Sequence, residues 1–294
     1  MANPFYIVDV FAERPYSGNP LAVVVATEPL TDPTMQAIAA ETNFSETSFV
    51  IPTPDPDGAY RVRLFTPARE IAFAGHPILG SAWVIRHHVA RQAIESVRLS
   101  LAGGEIPVHF EVTASGLDEA WFLAPPMSHG PHCPHDLIAT AVGLDANEIE
   151  QSIPIQQFSA GTSALIVPLR SLDALRRCNP DRTTFAALKA AGYPPLVYLF
   201  CHQTRYPEND LSARFFFDAH GVREDPATGN GAAFLGAYLL KHSPSFGSCF
   251  SLRIEQGYEV RRPSVVRMRV NGDTASPEIR VGGPIVPTVA GYII

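Results

Sequence analysis

Apolar positions in this chain fall into short blocks whose spacing switches between a period of about two and one near 3.6, as strands alternating with helices require. Residues 5–10 and 21–25 are apolar runs separated by Tyr16-Ser17-Gly18-Asn19-Pro20, which predicts strand, turn and strand. Thr31-Asp32-Pro33 starts a helix, and Met35, Ile38, Ala39 and Thr42 give it one apolar face. That helix ends near Asn43 and a strand begins at Glu46, which places Glu46 at a junction where side chains project into clefts. Residues 60–66 alternate as a strand, and a turn at 67–70 leads through Phe73-Ala74-Gly75-His76-Pro77 into a helix over 78–89. Strands over 97–101 and 106–112 follow.

The later part of the chain predicts helices over 136–142, 172–178, 184–191 and 232–240. Strands are expected at 155–159, 161–167, 196–201, 213–217, 250–254 and 265–270, with closing strands at 279–283 and 286–294. Part of this order repeats. Arg63-Leu64-Phe65 and Gly75-His76 have counterparts about 150 residues downstream in Arg214-Phe215-Phe216 and Gly229-Asn230, each set followed by a helix and two strands. The expectation is an α+β chain of two similar halves, 1–124 and 125–278, with 279–294 returning to the first. The joint at 124–134 is rich in proline and reads as a linker. It carries His129, His132 and Cys133, with His135 just beyond, at a spacing that matches no metal signature, so no metal site is expected.

Composition narrows the function classes. Of 294 residues, 46% are hydrophobic and 17% charged, which describes a folded globular chain. A net charge of −7 argues against nucleic acid as a partner, since phosphate recognition needs a basic surface. The most apolar stretch, 71–89, is interrupted by Gly75, His76 and Arg86, so no membrane span is expected. No basic segment followed by an apolar core opens the chain, and a cytoplasmic protein is the default. Cys133, Cys178, Cys201 and Cys249 are far apart and form neither a disulfide framework nor a zinc set.

The candidate chemistry centres on Glu224-Asp225-Pro226-Ala227-Thr228-Gly229-Asn230-Gly231 and on Gly75-His76, both at helix starts. A helix N-terminus exposes unpaired N–H groups and a partial positive charge, which suits a carboxylate. Glu46, His76 and Asp225 are the potential acid/base groups. Two such groups on opposite faces of a bound acid fit a proton shift or an epimerisation. Neither glycine loop holds a cysteine, which excludes a two-thiol racemase. Gly229-x-Gly231 lacks the third glycine of a dinucleotide site, and neither a P-loop nor a Gly-x-Ser-x-Gly elbow occurs. His87-His88 reads as a structural pair at an exposed helix end.

Several motifs occur together in order: Gly18-Asn19-Pro20-Leu21-Ala22-Val23, Asn43-Phe44-Ser45-Glu46-Thr47-Ser48-Phe49, Gly75-His76-Pro77, Glu224 to Gly229, and Gln256-Gly257 with Arg262-Pro263-Ser264. In them the chain resembles the phenazine-biosynthesis PhzF-like isomerases, which share the two-domain fold of diaminopimelate epimerase. That resemblance implies two pseudo-symmetric halves, each a curved mixed or antiparallel sheet around a central helix. It also implies cofactor-independent proton transfer on a small carboxylic acid bound between the halves, in a homodimer. The best-known member isomerises trans-2,3-dihydro-3-hydroxyanthranilate. Carried over by motif, Glu46 is the proton shuttle, with His76 and Asp225 assisting. Ser45, Gly75, Thr228, Gly229 and Asn230 hold the acid. Two positions depart from the family pattern: Asn230 stands where serine is usual, and Arg261 where glycine is expected. The alternatives are a lyase on the same scaffold, or a small-acid-binding protein without chemistry.

Overall fold

A computed structural model describes residues 2–90, 94–114, 116–218 and 222–294. The chain divides into two compact units, Met1–Leu123 with Gly282–Ile294, and Ala124–Val281. Both mix strands with helices, so the class is α+β.

The first unit begins with β1 (Asn3–Val10), β2 (Asn19–Val25), α1 (Asp32–Thr42), β3 (Thr47–Val50), β4 (Tyr60–Phe65) and β5 (Glu70–Ile71). It continues with α2 (Gly75–Val84), β6 (Ser96–Leu101), β7 (Gly104–Val112) and β8 (Asp118–Leu123). Pairing is antiparallel for β1–β2, β3–β4, β4–β5, β6–β7 and β7–β8, and parallel for β2–β3 and β4–β6. The parallel neighbours are the pairs whose connections carry α1 and α2, because no tight turn can join parallel strands. Thr31 caps α1, its Oγ1 accepting from the Thr34 N–H, and Asn43 ends it in the left-handed conformation at φ 52°. All ten residues of α2 are buried, and it packs against β1, β2, β3, β6, β7 and β8. A helix apolar on every side is stable only when covered in this way.

The second unit begins with β9 (Ser128–Cys133), α3 (His135–Val142), β10 (Ile155–Ala160), β11 (Thr162–Pro168), α4 (Leu172–Arg177) and α5 (Arg182–Ala190). Next come β12 (Leu196–Cys201), β13 (Leu211–Asp218), β14 (Val222–Asp225), α6 (Gly229–His242), β15 (Cys249–Gln256) and β16 (Ser264–Asn271). From β10 to β16 the pairing repeats that of β1 to β7. The β10–β11, β12–β13, β13–β14 and β15–β16 ladders are antiparallel, and β11–β12 and β13–β15 are parallel. Helix α6, buried from Gly231 to Leu239, packs on β10, β11 and β16. The final strand, β17 (Glu278–Ile293), pairs antiparallel with β1 from Asn3↔Ile293 to Val10↔Ile285, with a bulge between Ile7 and Val8.

Three expectations change. The helix expected over 78–89 is α-helical only from Gly75 to Val84, and Ile85–Val89 is a π-turn closed by the Ala90 N–H on the Ile85 carbonyl. Residues 128–133, read as linker, form β9, because β10 supplies hydrogen-bond partners to a sequence with little strand preference of its own. Pro131, which cannot donate to a ladder, sits where the β9–β10 register shifts. The two closing strands are one continuous strand, β17. Among the described residues, no helix is long and apolar enough to cross a membrane.

Candidate active site

In the first unit the α1–β3 junction delivers Glu46 and the first turn of α2 delivers His76. Glu46 Oε2 lies 3.6 Å from His76 Nε2, too long for a hydrogen bond but close enough for the two groups to interact electrostatically. The His76 side chain is 5% exposed and that of Glu46 is 17%, so Glu46 has the wetter end of the pair. Burial pushes the His76 pKa down to about 3, which keeps the ring neutral near pH 7. Its other nitrogen, Nδ1, lies 3.3 Å from Nδ2 of the fully buried Asn19. Gly75, buried, opens α2 after Ala74, which provides no side-chain cap, and half-buried Ser45 immediately precedes Glu46.

In the second unit Asp225 ends β14 and is buried. The Thr228 hydroxyl donates to Asp225 Oδ2 at 2.6 Å. Gln256, fully buried at the end of β15, ties the turn together. Its Nε2 donates to the Asp225 carbonyl at 2.9 Å and to Thr228 Oγ1 at 3.0 Å, while its Oε1 accepts from the Thr228 N–H at 3.2 Å. Gly257 follows at φ +80°, and a Cβ there would strike the carbonyls of Pro226 and Arg262, so only glycine lets the strand end close on the Asp225 turn. Beneath the helix start lies Tyr198, fully buried, its ring in the space that a side chain at Gly231 would need. Burial, and then the charge of Asp225, raise the Tyr198 pKa, so its hydroxyl stays protonated. Gly229 is buried, and Asn230 and Thr228 are half-buried.

The structure thus joins Glu46 with His76, and Asp225 with Thr228, each pair within its own unit. Sequence reasoning assigned no role to Asn19, Gln256 or Tyr198. Asn19 and Gln256 lie inside quoted motifs, each a lone amide at the end of an apolar strand, and that was the available signal. Of the histidines near the former linker, His129 and His132 lie along β9 and His135 opens α3. Among the described residues, no group of three or more His, Cys, Asp or Glu could hold a metal ion. Arg261, where glycine was expected, has φ 60°, the left-handed region that glycine enters freely.

A family model described as phenazine biosynthesis-like protein matches residues 8–291. The trans-2,3-dihydro-3-hydroxyanthranilate isomerase of Pseudomonas aeruginosa is 33% identical over 91% of this chain and 90% of its own. A Mesorhizobium japonicum protein described as an uncharacterized isomerase is 33% identical over 98% of both chains. Among solved structures, the Bacillus anthracis phenazine biosynthesis protein of the PhzF family matches with a TM-score of 0.89 at 26% identity, covering 100% of this chain and 99% of the other. The chain belongs to the phenazine biosynthesis-like, or PhzF, family, and it is an isomerase.

Proposed function

We propose that this isomerase moves a proton on a small carboxylic acid without a cofactor, as the likeness to trans-2,3-dihydro-3-hydroxyanthranilate isomerase suggests. The observation that carries the reading is the Glu46–His76 pair: a partly exposed carboxylate 3.6 Å from a buried, neutral imidazole at the start of a fully buried helix. Glu46 is the group that takes the proton from one carbon and returns it to another. His76 faces Glu46 with a ring nitrogen and carries no charge of its own. The N–H groups that open α2 and α6, at Gly75 and Gly229 where no side chain caps the helix, suit the acid's carboxylate. Ser45, Thr228 and Asn230 are further polar contacts for the acid, and Asp225, fixed by Thr228 and Gln256, assists the transfer. The same reading takes the two units as copies of one ancestral half, each with its strands curved around its buried helix, and the protein as a homodimer.

The test is carbon-bound deuterium uptake from heavy water into trans-2,3-dihydro-3-hydroxyanthranilate and a panel of related acids. Glu46→Gln should reduce uptake by ~10²-fold or more while leaving the fold intact, since a positioned acid/base group contributes roughly that much. Uptake by the variant at the wild-type rate would remove Glu46 from this role. Measurable binding of the acids with no uptake in the wild type would favour a binding protein instead.

A further inference from the structure

We infer that Asn19 is a positioning residue that sets which ring nitrogen of His76 carries the proton, and so aims a neutral N–H at Glu46. The catalytic consequence of this rests on the proposed role of Glu46; the tautomer itself does not.

The β1–β2 turn brings Asn19 to its place. Gly18 has φ +68°, and a Cβ there would collide with the Val10 carbonyl oxygen, so the turn closes tightly only with glycine. The Ser17 hydroxyl donates to the Arg14 carbonyl, and the Tyr16 N–H donates to Asp9 Oδ2 at 2.7 Å. Asn19 then opens β2 opposite Val10, fully buried, with its amide 3.3 Å from His76 Nδ1.

A neutral imidazole has one N–H, and its two nitrogens face different partners here. With the Asn19 NH₂ towards Nδ1, that nitrogen accepts, the proton sits on Nε2, and Nε2–H faces Glu46 Oε2 across 3.6 Å. Turning the amide over would place Asn19 Oδ1 against Nδ1–H. The bare Nε2 lone pair would then face a carboxylate oxygen in a buried setting, two acceptors opposed with no proton between them. With Glu46 ionised, only the first arrangement sets a donor opposite an acceptor at both contacts. An N–H on Nε2 turns the positive end of its dipole towards Glu46 Oε2 and favours the charged carboxylate, the form that must accept the substrate's proton. An amide suits this task because it donates without charge. A carboxylate at position 19 would itself claim Nδ1–H and reverse the ring.

The second unit supports the assignment by contrast. In matched ladder registers Ala22 pairs with Thr47 and Leu165 with Val197, so Thr162 stands where Asn19 stands. Thr162 is exposed, and the counterpart of His76 is Asn230, which has no tautomer to set.

Long-range ¹H–¹⁵N correlation of the His76 ring in the ¹⁵N-labelled full-length protein tests this directly. The expected signature is a protonated Nε2 and a bare Nδ1 across pH 5 to 8. Asn19→Asp should move the proton to Nδ1 and lower kcat for deuterium uptake by ~10²-fold, with KM changing by no more than about threefold. Asn19→Ala, which buries no charge, should give a mixture of tautomers. A wild-type ring protonated on Nδ1, or a single Nε2–H tautomer persisting in both variants, would overturn the inference. Wild-type protein that shows the Nε2–H ring yet exchanges deuterium on no acid would sink the proposed function and leave the tautomer assignment standing.

Discussion

The two units use one ladder plan and fill its polar positions in opposite ways. Aligning Arg63-Leu64-Phe65 of β4 with Arg214-Phe215-Phe216 of β13, the pairing registers match position by position. Leu64 pairs with Ile71 where Phe215 pairs with Asp225, and Phe65 pairs with Thr47 where Phe216 pairs with Val197. Arg61 pairs with Ser100 where Ser212 pairs with Glu255, which puts Gln256 in the place of Leu101. Glu46, just before Thr47, therefore corresponds to Leu196, Ile71 to Asp225, and His76 to Asn230. Each unit carries the acid group that the other replaces with an aliphatic side chain. A buried polar group costs free energy unless it is partnered, and half-buried Leu196 and Ile71 leave no such group to satisfy. The exception is the paired arginine. Arg63 meets Glu70 through two contacts of 2.7 Å, and Arg214 meets Glu224 through contacts of 3.0 and 2.7 Å. Burial and further partners differ: the side chains are 26% and 40% exposed in the first pair, where Arg63 also meets exposed Asp32, and 7% and 8% in the second, where Arg214 also donates to backbone carbonyls.

That difference gives the largest expected stability effect. Arg214→Ala should cost ~3–5 kcal/mol, because it strands Glu224 and the carbonyls of Leu175 and Cys178 that Arg214 also binds. Arg63→Ala should cost less than about 1 kcal/mol, as solvent-screened pairs do. Equal losses in urea titrations would break the comparison. Next in size, Gln256→Leu copies the first unit's residue into the second, and should cost ~1–3 kcal/mol by removing the hydrogen bonds that Gln256 makes to the Thr228 N–H and the Asp225 carbonyl. A neutral outcome would mean that the Asp225 turn stands without Gln256.

The pH response sharpens the contrast at the helix starts. His76 titrates near 3 when folded and near its ordinary 6.5 when unfolded, so between those values the unfolded chain binds the extra proton. Its contribution is complete above pH 6.5 and is lost progressively as pH falls towards 3. Asn230, its counterpart, does not titrate. His242, held down to about 4 by burial and then by Lys241, His132 and His129, acts in the same direction from the far end of α6. The urea midpoint should therefore drop between pH 7 and pH 4.5, and His76→Asn should flatten that slope. An unchanged slope would show that His76 is not buried neutral. The smallest effect lies in the β15–β16 loop, which replaces the two-residue turn between β6 and β7. Arg261→Gly relieves a left-handed arginine and should raise stability by no more than ~1 kcal/mol.

Much of this was legible along the chain. The period of the apolar positions gave most strands and helices, Thr31 and Asn43 announced the ends of α1, and the repeat of Arg63 and Gly75 at Arg214 and Gly229 announced a recurring order. These are local signals, carried by propensity and spacing. β9 escaped because its strand character comes from β10, and the α-helix after Gly75 stopped short because the π-turn satisfies different carbonyls. The sequence by itself determined the alternation of elements, the family, and which residues could act as acid or base. Only the tertiary structure decided that His76 is neutral, that its ring lies between Asn19 and Glu46, and that Gln256 binds the Asp225 turn. The reason is that burial and partner geometry arise between residues far apart in the chain, where no local pattern can encode them.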